Sequence, residues 1–282
     1  MRHVSARPIA VAMIAAAGIA FVAWAATRTP AVPAAWARLG TQDVHSLAFA
    51  PDATDHLYFG HHGGILETRD GGRSWTALPV SADAMGMRPT NDGSIVIAGH
   101  EVLVASPDGG RTWAPLSSDL PNIDIHAFAR DPDDPRRMCA YLAAGGVYET
   151  TDGGTHWTLV LDGHRPILAA IRAPGGTGLL GIDPFAGLAR SDDGGRTWTT
   201  LSQPEAYPAY GLAATPDGQT VLIGTGDALR RSADGGRTWE TIDLPSSPFA
   251  IAVSDDGRSV AVVTRSTEFF RSDDGGRSWP GP

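Results

Sequence analysis

An eight-residue motif, Ser/Thr-x-Asp-x-Gly-x-x-Trp, occurs six times along the 282-residue chain at nearly even intervals. Its copies begin at Thr68, Ser106, Thr150, Ser191, Ser232 and Ser272. The tryptophans that end successive copies are 38, 44, 41, 41 and 40 residues apart. A fixed period near 40 residues, with strand-like sequence between the copies, is typical of β-sheet units repeated around an axis. The repeat therefore constrains the fold far more than it constrains the chemistry.

Each copy of the motif lies where two strands should meet. A short apolar run precedes it, as at 63–68 and 101–106, and a second strand-like run begins at its tryptophan. The Asp-Gly-Gly between them is turn chemistry, because glycine adopts positive φ without a Cβ clash and an Asp carboxylate accepts nearby backbone N–H groups. We therefore expect one hairpin per repeat, with the motif as its turn.

The motif is that of the Asp-box, or BNR, repeat, and over residues 36–282 the chain resembles Asp-box β-propeller proteins of the sialidase-like, glycosyl-hydrolase-like superfamily. The resemblance implies that the boxes lie at the outer rim, between the third and fourth strands of each blade. It also implies a structural rather than catalytic role for the box aspartates, which are Asp70, Asp108, Asp152, Asp193, Asp234 and Asp274.

Each repeat contains four strand-like runs, which predicts an all-β, six-bladed propeller. The last blade lacks an outer strand, because the chain ends in Pro-Gly-Pro directly after Trp279. Residues 36–39 have the Trp-x-x-Leu form of the other outer strands but follow no box. We therefore expect this N-terminal strand to complete the sixth blade and close the ring, which removes an open sheet edge.

Residues 1–27 read as a signal anchor or signal peptide and residues 28–35 as a linker. Arg2 and Arg7 precede an uncharged apolar stretch that is long enough to form a hydrophobic membrane-spanning helix. Arginines on the leading side place the propeller outside the cytoplasm, in a periplasmic or extracellular location at the cell membrane. Cleavage after Ala23-Trp24-Ala25 would instead release a secreted protein, and the two outcomes stay open.

The net charge and the cysteine count exclude some classes of ligand and cross-link. The chain carries a net charge of −9, which argues against nucleic acid as a ligand. Cys139 is the only cysteine, so neither an intrachain disulfide nor a thiolate cluster can form.

Histidines mark the expected ligand face of the propeller. In the aligned repeats, His45, Met85 and His126 share one position near the start of the innermost strand. His62 and His100 share a second position, six residues before each box. Imidazole with thioether suits copper, and imidazole with carboxylate suits zinc or iron, so the five residues are candidate ligands of a transition metal. The alternative is that they bind ordered water and each other.

Sialidases also carry Asp-boxes, so an exo-sialidase-like glycoside hydrolase is the enzymatic hypothesis. The resemblance implies a tyrosine nucleophile with a glutamate partner, which Tyr207 and Glu205 could mimic, but the family's Arg-Ile-Pro motif is absent from the sequence. Asp119 and Asp124 offer a pair of carboxylates for another hydrolase. The loops are short, which favours a non-enzymatic binding or assembly module that contacts an extracytoplasmic ligand or protein.

Overall fold

Six four-stranded antiparallel sheets follow one another around a ring, and the innermost strand of each neighbours that of the next. The structure is a computed structural model that describes residues 34–51, 53–174, 176–183, 187–202, 209–226 and 228–282. The chain divides into two units, Met1–Val32 and Pro33–Pro282, and every described residue lies in the second. The predicted all-β, six-bladed propeller is confirmed.

The chain enters the ring through a two-residue strand, β1 (Ala37–Arg38). Blade 1 contains β2 (Ser46–Ala50), β3 (Ala53–His61), β4 (Gly64–Thr68) and β5 (Thr76–Ala77). Blade 2 contains β6 (Gly86–Pro89), β7 (Ile95–Gly99), β8 (Val102–Ser106) and β9 (Ala114–Pro115). Blade 3 contains β10 (Ile125–Arg130), β11 (Met138–Leu142), β12 (Val147–Thr150) and β13 (Thr158–Leu161).

The second half of the ring repeats this meander. Blade 4 contains β14 (Ile167–Ala173), β15 (Gly176–Asp183), β16 (Gly187–Ser191) and β17 (Thr199–Ser202). Blade 5 contains β18 (Ala209–Ala214), β19 (Val221–Thr225), β20 (Leu229–Ser232) and β21 (Glu240–Ile242). Blade 6 contains β22 (Pro248–Val253), β23 (Val260–Thr264) and β24 (Glu268–Ser272), with β1 as its fourth strand.

The N-terminal strand closes the ring as predicted. Strand β1 pairs antiparallel with β24, with Ala37 opposite Phe269 and Arg38 opposite Glu268. The Trp36 N–H donates to the Phe269 carbonyl at 2.8 Å, and its indole N–H donates to the Pro280 carbonyl at 2.8 Å. The two ends of the propeller are therefore joined by backbone and side-chain hydrogen bonds, and β24 has no open edge.

Every box forms the same turn directly after the third strand of its blade, and in blades 1 to 5 that turn leads into the fourth strand. In the first box, Asp70 Oδ1 accepts the Thr68 hydroxyl at 2.8 Å and the Ser74 N–H at 2.9 Å. The Thr68 oxygen accepts the Gly72 N–H at 2.9 Å, and the Trp75 indole donates to the Gly72 carbonyl at 3.0 Å. The other five boxes repeat these bonds with their own residues. The box carboxylates are thus occupied by hydrogen bonds within their own turns.

The hydrophobic core lies between neighbouring blades. Six clusters of buried side chains fill the six interfaces, and the tryptophan of one box packs against each. In the first, Trp75 meets Phe269 edge-on with ring centroids 5.2 Å apart, so blade 1 packs on blade 6 across the closure. The box therefore links a local turn to the packing of the ring.

Around the axis, the innermost strands carry small side chains such as Ala48, Ala127 and Ala252, which leave a channel of about 1020 Å³. The predicted hydrophobic helix of residues 1–27 and the linker of residues 28–35 fall almost entirely outside the described residues. Among the described residues, no helix has the length and apolar character needed to cross a membrane.

Candidate functional site at the mouth of the channel

The predicted ligand positions lie at one end of the blades. His45 and Met85 directly precede β2 and β6, and His126 is the second residue of β10. His62 and His100 directly follow β3 and β7, which are the antiparallel neighbours of β2 and β6. The start of one strand and the end of its antiparallel neighbour lie at the same end of the sheet. The five residues therefore lie at the same end of the channel.

The mouth of the channel is asymmetric. His45, Met85 and His126 line it in blades 1 to 3. The equivalent positions of blades 4 to 6 hold apolar or aromatic residues that also line the mouth, namely Leu168, Tyr210 and Phe249. Tyr210 and Phe249 stack at 5.1 Å between ring centroids. The histidines of blades 1 and 3 therefore make one half of the mouth polar, and the side chains of blades 4 to 6 make the other half apolar or aromatic.

Four of the histidines form a continuous arc across blades 1 to 3. His45 Nε2 lies 2.7 Å from His62 Nδ1, and His100 Nε2 lies 3.2 Å from His126 Nε2. The rings of His62 and His100, which join the two pairs, are 5.9 Å apart between centroids. The structure thus brings together the four histidines that the repeat alignment singled out, and Met85 lies beside them on the channel wall.

Three aspartates alternate with these histidines. His62 Nδ1 lies 2.6 Å from Asp43 Oδ2, His100 Nδ1 lies 2.5 Å from Asp83 Oδ2, and His126 Nε2 lies 3.4 Å from Asp124 Oδ1. Neither Asp43 nor Asp83 is among the residues predicted from the sequence, and Asp124 is predicted only as a hydrolytic carboxylate. The repeat does contain a signal for these aspartates, because each lies two residues before the position that holds His45, Met85 and His126. The three segments read Asp-Val-His at 43–45, Asp-Ala-Met at 83–85 and Asp-Ile-His at 124–126.

The alternating side chains form three overlapping sets of three residues. Within each set, the candidate ligand atoms all lie within 4.8 Å of one another. We call Asp43, His45 and His62 the first triad, and His100, Asp124 and His126 the second triad. The remaining set consists of His62, Asp83 and His100, and so lies between the two. Each contains two imidazoles and one carboxylate, a ligand combination found at zinc and non-haem iron sites.

Local electrostatics keep two members of the first triad, His45 and Asp43, in the protonation states that bind a metal ion. Burial lowers the pKa of His45 against the opposing effect of Asp83 and Asp43, so this imidazole is neutral at neutral pH. Burial would raise the pKa of Asp43, but the His62 N–H bond and the neighbouring imidazoles outweigh it and lower that pKa. Neutral imidazole and ionised carboxylate are the forms that bind a metal ion.

Asp83 is the most buried member of the arc, with 8% of its side chain exposed. Its Oδ2 accepts hydrogen bonds from both the ring and the backbone N–H of His100. Its Oδ1 lies 3.3 Å from His45 Nε2 and has no hydrogen bond within the described part of the chain. A buried acceptor without a partner costs about 1–3 kcal/mol, and such an atom often faces a water or an ion.

The hydrolase candidates occupy different surroundings. Asp119 Oδ1 accepts the backbone N–H of Trp157 at 2.7 Å, so this carboxylate serves the third box rather than the channel. Asp124 belongs to the second triad. Tyr207 and Glu205 lie outside the described residues.

Two further histidines near this face have other partners. His164 Nδ1 lies 2.8 Å from the Tyr141 hydroxyl. His61 stacks on Phe59 at 6.0 Å between ring centroids and accepts the Gly63 N–H at 3.0 Å.

A family model described as the photosynthesis system II assembly factor YCF48 matches residues 34–177, half of the chain. No curated protein sequence matches the chain. The family match bears out the predicted resemblance to BNR-repeat propellers.

Solved structures with similar folds include YCF48 proteins and GH74 enzymes. A structure described as YCF48 bound to D1 peptide is 21% identical with a TM-score of 0.54, and the match covers 87% of this chain and 99% of that one. YCF48 from Cyanidioschyzon merolae is 17% identical with a TM-score of 0.54, and the match covers 88% of both chains. The GH74 xyloglucanase from Xanthomonas campestris is 20% identical with a TM-score of 0.59 over 88% of this chain. The chain spans only 46% of the length of that enzyme, and all these likenesses show the fold alone.

Proposed function

Because this chain belongs to the family of the photosynthesis system II assembly factor YCF48, we propose that it is a non-enzymatic binding or assembly module that contacts its partner at the mouth of the channel. The proposal takes from the family the kind of role and leaves the identity of the partner open, since fold and family membership do not fix a ligand. The arc of four histidines and three aspartates is the observation on which it rests.

The two halves of the mouth indicate the chemistry of the partner. The apolar half offers Leu168 and the stacked rings of Tyr210 and Phe249, which suit an apolar or aromatic side chain. The polar half offers imidazoles and carboxylates that suit a basic or metal-ligating group. An exposed protein segment with an apolar residue next to a polar one would complement both halves.

A transition metal at the polar half is part of the proposal. Copper would draw on the imidazoles of His45, His62, His100 and His126 with the Met85 thioether, whereas zinc would draw on imidazoles and carboxylates. The carboxylates next to each histidine support zinc more strongly than copper.

Export and membrane tethering complete the proposal. Residues 1–27 would hold the propeller outside the cytoplasm, at the cell membrane, where an assembly factor for exported or membrane-bound chains would meet them. Fractionation with alkaline extraction tests this proposal: a tethered protein stays with the membranes, and a cleaved one appears in the soluble extracytoplasmic fraction. Recovery of full-length protein from the cytoplasm would contradict both forms.

Site-specific crosslinking tests the binding role. A photo-reactive phenylalanine analogue at Tyr210 should give a discrete protein adduct in cells, and the same analogue at Leu159, an exposed residue of the outer strand β13, should give none. The adduct at Tyr210 should weaken when Phe249 is changed to Ala. Equal adducts at both positions would mean that the mouth is not the docking face.

The same purified protein tests the hydrolase alternative. We expect no release of product from fluorogenic sialosides or other glycosides at any pH between 4 and 8. Turnover that disappears on Asp124→Asn, or on Tyr207→Phe with Glu205→Gln, would replace the binding role with glycoside hydrolysis.

A further inference from the structure

The second triad has the spacing of a metal site. A tetrahedral ion with metal–nitrogen bonds of about 2.0–2.1 Å holds its ligand atoms about 3.3 Å apart. His100 Nε2 and His126 Nε2 are 3.2 Å apart, and Asp124 Oδ1 lies 3.4 Å from His126 Nε2 and 3.9 Å from His100 Nε2. The three atoms therefore surround a point to which each could bond after small movements.

The first triad is contracted by comparison. His62 Nδ1 lies 2.6 Å from Asp43 Oδ2 and 2.7 Å from His45 Nε2. These are hydrogen-bond distances, and both are too short for atoms that share a tetrahedral ion. His62 Nδ1 is within hydrogen-bond distance of both neighbours, so the first triad is held together by its own contacts.

Asp83 orients one ligand of the second triad. The Asp83 Oδ2 atom lies 2.5 Å from His100 Nδ1 and accepts its hydrogen bond, which places the ring proton of His100 on Nδ1. The lone pair of His100 then lies on Nε2, the atom that faces His126 and Asp124. A carboxylate behind a histidine in this way is the arrangement that fixes the tautomer of metal-binding imidazoles.

The carboxylate oxygen at this point has no hydrogen-bond partner among the described residues. This Asp124 oxygen faces the imidazoles and is buried. The side chains themselves remain accessible to solvent, with 41% of His100, 45% of Asp124 and 37% of His126 exposed. Three protein ligands with one accessible side match a site whose fourth position is left for another ligand.

We propose that His100, Asp124 and His126 bind one divalent transition metal ion, with Asp83 as a positioning residue and the fourth coordination position open to a side chain of the bound partner. This inference rests on the proposed binding function and deepens it, because it gives the partner a chemical requirement. The partner must present an imidazole, carboxylate or thiolate to the mouth of the channel. The two imidazoles and one carboxylate favour zinc over copper.

Metal titration tests the site directly. Protein purified without a His-tag and freed of metal should bind one equivalent of Zn²⁺ by calorimetry. Co²⁺ should also bind once and give the visible absorption of a four- or five-coordinate ion, and added imidazole should shift that spectrum because it fills the open position. Two bound ions, or a spectrum that imidazole leaves unchanged, would overturn the open single site.

Substitutions assign the ligands. His126→Ala and Asp124→Asn should abolish Co²⁺ binding, and Asp83→Asn should weaken it by about 10- to 100-fold while retaining the spectrum at saturation. His45→Ala should leave one bound ion. The matched control is His156→Ala, which removes an exposed rim histidine that also faces an aspartate, Asp152 at 2.6 Å. Circular dichroism of each variant separates lost ligands from lost fold.

The outcomes distinguish this inference from the proposed function. Binding lost in His45→Ala but kept in His126→Ala would move the metal to the first triad and overturn the assignment made here. No binding of Zn²⁺ or Co²⁺ to the native protein would overturn the metal site altogether. In either case the crosslink at Tyr210 reports separately on whether the mouth binds a partner.

Discussion

The outer rim and the channel mouth are built from the same repeat, yet only the rim keeps the same chemistry in every blade. All six boxes make the same hydrogen bonds between hydroxyl, carboxylate, backbone and indole. At the mouth, one structural position holds His45, Met85 and His126 in half of the ring and Leu168, Tyr210 and Phe249 in the other half. Uniform residues therefore mark the scaffold, and departures from the repeat mark the candidate site.

The difference has a physical cause. Every blade has the same buried polar groups to satisfy at its outer turn. Every box therefore needs the same hydrogen-bond acceptors and the same glycines. The mouth is formed by the ends of loops whose side chains face the channel. Many residue types are compatible with the fold at those positions. Substitutions at the rim should consequently change stability, and substitutions at the mouth should change binding.

Acid should have the largest effect on stability, because it acts on all six boxes together. The Thr112 and Thr197 hydroxyls and N–H groups lower the pKa of Asp108 and Asp193 to about 2, below the ordinary 3.8. A depressed folded-state pKa contributes stability that is complete above about pH 4 and is lost as the pH falls towards 2. We expect unfolding between pH 4 and 2 by circular dichroism. A midpoint near pH 6 would instead make the histidine mouth responsible for stability.

The closure should show the next largest effect. Trp36 donates to the carbonyls of Phe269 and Pro280, and the Arg73 guanidinium lies 4.7 Å from the centre of its ring. We expect Trp36→Ala to lower the free energy of unfolding by about 3 kcal/mol, measured by urea denaturation. Trp36→Phe keeps an aromatic ring, so it should lower the free energy of unfolding by less than Trp36→Ala does. An unchanged urea midpoint would show that β1 is dispensable for the ring.

A single box should have a smaller effect. Ser106 is fully buried, donates to Asp108 Oδ1 at 2.9 Å and accepts the Gly110 N–H at 2.8 Å. Ser106→Ala leaves that N–H without its acceptor and should cost about 1–2 kcal/mol of unfolding free energy. Ser117→Ala changes an exposed serine eleven residues downstream of the motif's start; it is the control, and its free energy of unfolding should stay within about 0.5 kcal/mol of the native value. Equal losses in both would show that the box hydroxyl contributes nothing specific.

The mouth should show the smallest change in stability. His126 is 37% exposed, so His126→Ala should alter the free energy of unfolding by no more than about 0.5 kcal/mol in metal-free buffer. The same variant should lose Co²⁺ binding, so one substitution separates the two properties. If it destabilises the metal-free protein as much as Ser106→Ala does, the mouth is structural and the division between rim and mouth fails.

Most of the scaffold could be predicted from the sequence, whereas only part of the candidate site could. The ring, the position of the boxes and the closing strand followed from residues that recur in every repeat. The four histidines were found because they share repeat positions. Asp43 and Asp83 were missed, since an aspartate before a strand looks like any turn residue until its partners across the sheet are known.

The amino-acid sequence by itself determined how many blades form and how the ring closes, because a turn motif and its tryptophan act over a few residues and recur about every 40. Only the tertiary structure decided which side chains meet at the mouth. The loops that carry Asp83, His100 and His126 are separate in the chain, and their spacing depends on the angle and distance between neighbouring blades. The first triad lies within blade 1, whereas the second joins blade 2 to blade 3, so its wider spacing depends on that packing, which local sequence patterns do not specify.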